Sequence, residues 1–213
     1  MERVINLQRI TVLTADVIAS RSAQQAVGAL STAVTEIVHT DLVVPFTLSR
    51  GDEIQGVLRG WLTAPEIIRI LRWRCRPLDL RIGIGLGTFI GELGNNPWAL
   101  TGTAFFRARE ALDRLNGQRR PGTTLVSGGP GEYDELVNAH MHLIDTIQGA
   151  WTDGQWQAVM SYEAVGTYAA AGRELGVAAQ NVQKRCKAAR WPEIRQAEQA
   201  LGAAGRLLMT ILG

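Results

Sequence analysis

A chain of 213 residues that is 46% hydrophobic and 20% charged has enough apolar side chains for a real core, and room for one large domain or a medium and a small one. Its net charge of +2 argues neither for nor against a polyanionic partner, so charge must be read region by region. Two cysteines far apart, Cys75 and Cys186, exclude a disulfide framework and a zinc knuckle, and suit a reducing compartment. The N-terminal MERVINLQRI lacks the apolar core of a signal peptide, and no stretch approaches the roughly 18 apolar residues of a membrane span. The expectation is a cytoplasmic protein.

Residues 10–16, ITVLTAD, predict a buried strand that ends in an acid. Ser20 or Ser22 can cap a helix whose apolar residues Ala26, Val27, Leu30, Ala33, Val34, Ile37 and Val38 recur at helical spacing. Residues 43–48 and 54–58 then form a hairpin around Gly51-Asp52, since glycine supplies φ > 0 at no steric cost. The hairpin lifts Asp52 and Glu53 to its tip, although a plain surface turn has the same signature. Thr63-Ala64-Pro65-Glu66 reads as a capping box with an early proline, opening a helix that carries Ile67, Ile68, Ile70 and Leu71. Residues 78–86 alternate, with Leu80, Ile82, Ile84 and Leu86 on one face and Arg81, Gly83 and Gly85 on the other. A loop leads to a helix over about residues 103–115, and residues 123–127 make a last strand before the Gly-Gly-Pro-Gly break at 128–131.

The order β-α-β-β-α-β, then helix and strand, predicts an α+β domain of ferredoxin-like arrangement, one sheet backed by helices. Such a sheet brings the end of its first strand beside the hairpin tip, and so Asp16 beside Asp52. Two converging carboxylates repel unless a divalent cation sits between them, and oxygen ligands suit Mg²⁺ or Mn²⁺. Two unrelated turn or capping acids fit the spacing equally. Gly83, Gly85, Gly87 and Gly91 match neither a Walker loop nor a Rossmann fingerprint. They fit close approach of the backbone to a packed helix, or to a ligand.

Four motifs in order, TADVIASR, SRGDEIQGVL, LRIGIGLG and GTAFFRAREAL, resemble those of the bacterial SatD family over most of residues 10–115. That family in turn resembles the catalytic fold of class III nucleotidyl cyclases and GGDEF proteins, in which a first-strand aspartate and a hairpin aspartate hold two metal ions on a nucleoside triphosphate. The resemblance implies a nucleotidyl cyclase-like domain with Asp16 and Asp52 as metal ligands. It also implies a nucleotide-binding set of Asp16, Asp52, Glu53, Arg107 and Arg109. The departures are as informative. Leu48 stands where the cyclases have a base-selecting lysine, Ala99 where its partner acid falls, and Phe106 and Glu110 where a phosphate-binding asparagine and a transition-state arginine belong. Cyclisation needs cations and donors aimed at phosphate, which a phenylalanine and a glutamate do not supply. Arg107 and Arg109 are the cations nearest, though on a helix each faces differently from Glu110. A kept metal pair with a lost catalytic set suits nucleotide or phosphate sensing. The alternative is an active metal-dependent nucleotidyl cyclase or nucleotidyltransferase.

After the break, residues 132–149 carry Leu136, Val137, His140, Leu143, Ile144 and Ile147 at helical spacing, with acids and no Lys or Arg, and read as a linker helix. His140 and His142 lack a metal-like spacing of further ligands. Residues 168–191, YAAAGRELGVAAQNVQKRCKAARW, read as helix-turn-helix, with Gly176 at the turn and Val182 and Cys186 inward. Trp151, Trp156 and Val159 predict a preceding helix that covers this motif. The motif resembles the LGVSRQTVYKRLKAA type of bacterial regulators. It offers Ala178, Ala179, Gln180, Gln183 and Lys184 to a major groove, and Arg173, Arg185, Lys187 and Arg190 to phosphates. An αα-hairpin used for packing has the same composition. Trp191-Pro192 opens a last helix whose Leu201, Leu207, Leu208, Ile211 and Leu212 must bury against its own domain or a second subunit.

The organisation expected is a sensor domain over residues 1–128, a linker helix over 132–150 and an all-α DNA-binding domain over 151–213. Together these describe a DNA-binding transcriptional regulator, working as a homodimer on double-stranded DNA, with a nucleotide and Mg²⁺ or Mn²⁺ as its ligand. A scaffold without ligand, binding only protein, is a third reading.

Overall fold

The computed structural model describes residues 7–18, 24–49, 52–90, 92, 94–117 and 123–212. The expected cap at Ser20 or Ser22, the turn residue Gly51, and Gly91 lie outside the described residues.

The fold is mixed α/β, built on a five-stranded sheet of order β2-β3-β1-β4-β5. Strand β1 (Leu7–Val17) runs through the middle, antiparallel to β3 (Ile54–Arg59) on one side and to β4 (Leu80–Ile90) on the other. Strand β2 (Leu42–Leu48) pairs with β3 at one edge, and β5 (Thr124–Ser127) lies parallel to β4 at the other. Pro45 falls within the second register shift of β2, between Val44 and Thr47, as suits a residue that cannot donate to a ladder and is tolerated on an edge strand.

Alternation decides what each face buries. Leu13, Ala15 and Val17 of β1, with Leu80, Ile82, Ile84 and Leu86 of β4, belong to the large core. Helices α1 (Gln24–Thr35), α2 (Glu66–Cys75) and α4 (Tyr133–Gly149) feed that same core. The opposite face takes α3 (Thr103–Gly117), and the glycines of β4 make room for it. A Cβ on Gly83 would stand 2.2 Å from the Ala108 carbonyl oxygen, on Gly85 1.9 Å from that of Ala104, and on Gly87 2.6 Å from the Ala104 amide. Close approach to a packed helix, not to a ligand, is thus what these three glycines provide.

Four further helices complete the chain: α5 (Asp153–Val165), α6 (Tyr168–Leu175), α7 (Ala179–Ala188) and α8 (Trp191–Ile211). Thr152 and Gln155 form a reciprocal capping box on α5, and Thr167 caps α6 through the Ala170 amide. Gly176 ends α6 with φ 66°, the left-handed conformation that glycine adopts freely. Gly172 lets α7 come close, since a Cβ there would meet the Val177 carbonyl oxygen at 2.7 Å. Val182 and Cys186 of α7 are buried with Trp156 and Val159 of α5, and the Trp151 indole donates to the Ala189 carbonyl at 2.7 Å. The apolar core is continuous from the sheet through Trp151, Trp156 and Trp191 to Ile194 and Leu201 of α8. Among the described residues no helix is long and apolar enough to cross a membrane.

Four local expectations are corrected. Helix α1 stops at Thr35, and Val38 is 90% exposed because the chain has already turned toward β2, with the Leu42 amide bonded to the His39 carbonyl. Thr63 does not cap α2; its hydroxyl donates to the Arg59 carbonyl at 3.0 Å, and α2 starts without a side-chain cap. Helix α4 buries Val137, Met141, Ile144, Asp145 and Gln148 and leaves Leu136 and Leu143 exposed. Its rotation follows Asp145, which is held under the sheet by Arg72, the Thr123 amide and the Thr124 hydroxyl. On α8 only Leu201 of the expected set is buried, while Leu207, Ile211 and Leu212 face out. The small residues hold this helix down: Gly202 and Gly205 lie against the backbone of residues 61–63.

Candidate functional site

The end of β1, the tip of the β2–β3 hairpin, the start of β4 and the last turn of α3 meet at one end of the sheet. Asp16 sits opposite Arg81 in the β1–β4 register, and its neighbour Ala15 sits opposite Ile54, so the chain entering β3 brings Glu53 and Asp52 alongside. The hairpin closes through the Ser49 amide, which donates to the Glu53 carbonyl at 2.9 Å. Arg109 on α3 clamps the Glu53 carboxylate with both guanidinium nitrogens, at 2.5 and 2.7 Å. Asn116, nearly two turns further along α3, donates to Asp16 Oδ2 at 3.1 Å.

The electrostatics set Asp16 and Glu53 apart. Burial pushes the Asp16 carboxyl up, the Asn116 hydrogen bond and Arg81 oppose that, and the charges of Asp52 and Glu53 push it up further. The hydrogen bond from Arg109 holds Glu53 below the usual carboxylate range against its own burial, and the same bond raises Arg109. Asp16 Oδ1 is buried and has no hydrogen-bond partner among the described residues. A buried carboxylate oxygen without a donor is costly, and a cation or a proton relieves it.

The structure therefore brings together Asp16, Asp52, Glu53 and Arg109 and leaves Arg107 elsewhere. Arg107 donates to the carbonyls of Leu86 and Gly128 at 2.7 and 3.2 Å, tying β4 to the chain after β5. Leu86 is five residues along β4 from Arg81, about 17 Å of strand. The two arginines are two positions apart on α3 and so point to opposite sides of it. Sequence reasoning missed Asn116, and took Arg81 only as a strand position; nothing short of the β1–β4 register and the pitch of α3 assigns either to Asp16. Among the described residues no group of three or more His, Cys, Asp or Glu is set up to hold a metal ion.

A second surface lies on α7. Gln180, Gln183, Lys184 and Lys187 are all exposed and, at helical spacing, share one side of it. Arg173 on α6 and Arg190 before α8 are exposed too, Arg190 beside Glu193 at 3.5 Å. Ala178 is exposed at the N-cap of α7 and Ala179 half-buried in its first turn. Arg185 differs: it is half-buried, with its Cζ 3.6 Å from where a Cβ on Gly154 of α5 would lie.

The molecule is thus a mixed α/β protein with an acid-rich sheet end and a basic helix on a helical extension. Its sequence matches the SatD family model over residues 11–189, and the chain belongs to that family. No curated protein matches it. Among solved structures, the regulator of polyketide synthase expression from Bifidobacterium adolescentis is 12% identical, with 93% of this chain and 82% of that one covered and a TM-score of 0.28, a likeness too loose to transfer fold or role.

Proposed function

We propose that this protein is a DNA-binding transcriptional regulator whose sheet is a ferredoxin-like, nucleotidyl cyclase-like sensor of a nucleotide or phosphate ligand. In this reading residues 1–128 form the sensor, 132–150 connect, and 151–213 form a helix-turn-helix domain that acts in the cytoplasm as a homodimer. The observation that carries it is the side of α7 bearing Gln180, Gln183, Lys184 and Lys187. It is solvent-facing, offers amides for base edges beside cations for phosphates, and is braced from behind by buried Val182 and Cys186. Lys184, Arg185, Lys187 and Arg190 gather positive charge on and just after α7, although the net charge of the chain is only +2.

The sensor half rests on Asp16 and Asp52. The orphaned Asp16 Oδ1 and the mutual repulsion of the acids fit a divalent cation, which Asp16 and Asp52 would hold. Mg²⁺ or Mn²⁺ there would supply positive charge for the phosphates of a nucleotide. Glu53 and Arg109 already satisfy one another, so Arg109 steadies the hairpin, and its second role toward phosphate requires that pair to open. Phe106 has no polar atom and Glu110 is an anion that only accepts, so neither position offers a donor to a transferring phosphate.

The direct test of the proposal is a mobility shift on DNA from upstream of the protein's own gene against a scrambled duplex. A specific shift supports it, and equal binding or none contradicts it. Turnover of ATP or GTP with Mn²⁺ is expected to stay at background. Steady formation of a cyclic nucleotide, lost on Asp52→Ala, would establish the enzyme instead.

A further inference from the structure

On the other face of the same sheet end, a cavity of about 190 Å³ lies between β4, α2, α4 and the first turns of α5, with Arg72, Arg76, Gln148 and Trp156 in its lining. We propose that it is a binding site for a small monocarboxylate, distinct from the Asp16 site and independent of the DNA and nucleotide reading.

Arg72 donates to Gln148 Oε1 at 2.8 Å, which fixes the orientation of that amide and turns Nε2 into the free end. Gln148 Nε2 is buried and has no partner among the described residues, and the same holds for the indole Nε1 of Trp156. Both side chains are more than nine-tenths buried. The Trp156 ring cannot turn to find an acceptor: Trp73 stacks on it at 6.4 Å, Trp151 meets it edge-on at 4.7 Å, and Arg76 lies over it at 5.4 Å. Both side chains line one cavity, and neither donor has an acceptor among the described residues.

The nearby acid does not supply it. Asp145 accepts from Arg72, the Thr123 amide and the Thr124 hydroxyl, and the Arg72 Nη2 that pairs with it also donates to the Thr123 and Thr124 hydroxyls. Arg76 is the cation held only from the solvent side: its ion-pair partner is Asp153, whose side chain is 80% exposed. A pair so open to water is weak, so Arg76 can leave the Trp156 ring, uncover the indole and face an incoming anion. A planar carboxylate then meets Gln148 Nε2 and Trp156 Nε1 through its oxygens and Arg76 through its charge. Asp79, exposed at the rim, disfavours a dianion such as phosphate and tolerates a neutral or cationic tail. Because Trp156 belongs to α5, which packs against α6 and α7, the ligand would touch both the sheet and the helix on which the basic helix α7 rests.

The experiment follows the six tryptophan indole N–H signals of the ¹⁵N-labelled full chain by NMR while propionate, L-alanine, propionamide or inorganic phosphate is added. Trp156 is assigned by the signal lost in Trp156→Phe. Trp191, whose Nε1 is equally buried and unpartnered but does not line the cavity, is the internal control. Propionate or L-alanine should move the Trp156 signal downfield and leave Trp191 in place, with phosphate and propionamide at least tenfold weaker. Gln148→Met and Arg76→Met should each weaken the carboxylate at least tenfold while the other indole signals stay at their folded positions. No movement of Trp156 up to 50 mM carboxylate, equal movement of Trp191, or unchanged affinity in both variants would overturn the proposal and leave the cavity to water.

Discussion

Arg69 of α2 and Glu198 of α8 form an ion pair buried from solvent on both sides, with Arg69 Nε 2.9 Å from Glu198 Oε1 and Nη2 3.1 Å from Oε2. The guanidinium also lies over the Trp191 ring at 4.5 Å. The pair joins a helix packed on the sheet to the last helix of the chain, across 129 residues of sequence. Removing one member strands the other charge without water. Glu198→Ala is expected to destabilise by about 3–5 kcal/mol, and the double change Arg69→Met, Glu198→Leu by much less. Urea denaturation of the single and double variants measures this.

The glycines of β4 lead to a second expectation. Gly85→Ala drives a methyl group into the Ala104 carbonyl, and both neighbours are backbone, so relief requires α3 to move off the sheet. The cost should be about 3 kcal/mol or more. Gly94→Ala, with nothing described within 4 Å, should be nearly neutral, and thermal melts of the two compare them directly.

Much of this architecture is legible in the sequence, for a physical reason: alternation and helical spacing report on burial, and burial formed most elements. The strands expected at residues 10–16 and 78–86, found at Leu7–Val17 and Leu80–Ile90, and the inward Val182 and Cys186 come from pattern alone. What pattern cannot see is a polar group with a fixed partner. Asp145 is a charged residue on the core side of α4, and it rotates that helix away from the face that Leu136 and Leu143 suggest. Thr63 has the right type and spacing for a cap, but the Arg59 carbonyl competes for its hydroxyl. In the candidate site, the Asp16–Asp52 neighbourhood was legible through hairpin and strand order. Asn116 and the separate employment of Arg107 were not, because they depend on where α3 crosses the sheet.

The pH dependence of Asp16 is a third expectation. Its folded pKa lies above its unfolded value, so the folded state holds this proton more tightly. The contribution to stability is present at low pH and lost as pH rises through the folded pKa. Asp16→Asn should therefore raise the melting temperature at pH 7, with the gain vanishing below about pH 4, where both residues are neutral. Mg²⁺ or Mn²⁺ should raise the melting temperature of the wild type at pH 7 and leave that variant unmoved.

Asp16 and Asp52 should also act as one unit toward ligand. Alanine at either position is expected to weaken binding of ATP or GTP in Mg²⁺ to a similar degree, with the double change adding little. Titration calorimetry on the three variants decides, and additive losses or none at all would separate the two residues.

The most direct measurement of the central claim is a salt titration of DNA binding, on cognate and scrambled duplexes, for the wild type and four variants. If α7 enters a major groove, Gln180→Ala and Lys184→Ala should cost about 1–3 kcal/mol on the cognate site and relax the preference between sites. Lys187→Ala should weaken both duplexes alike and make the salt slope shallower by about one. Arg185→Ala should do the same if its guanidinium swings out from Gly154, and otherwise leave the slope unchanged. Half-sites should lie about 10 base pairs apart, centre to centre, or a multiple of that. A wild type that prefers its cognate duplex and loses that preference with Gln180 bears out the account. A wild type that binds both duplexes equally, or neither, contradicts it and makes α6 and α7 a packing element.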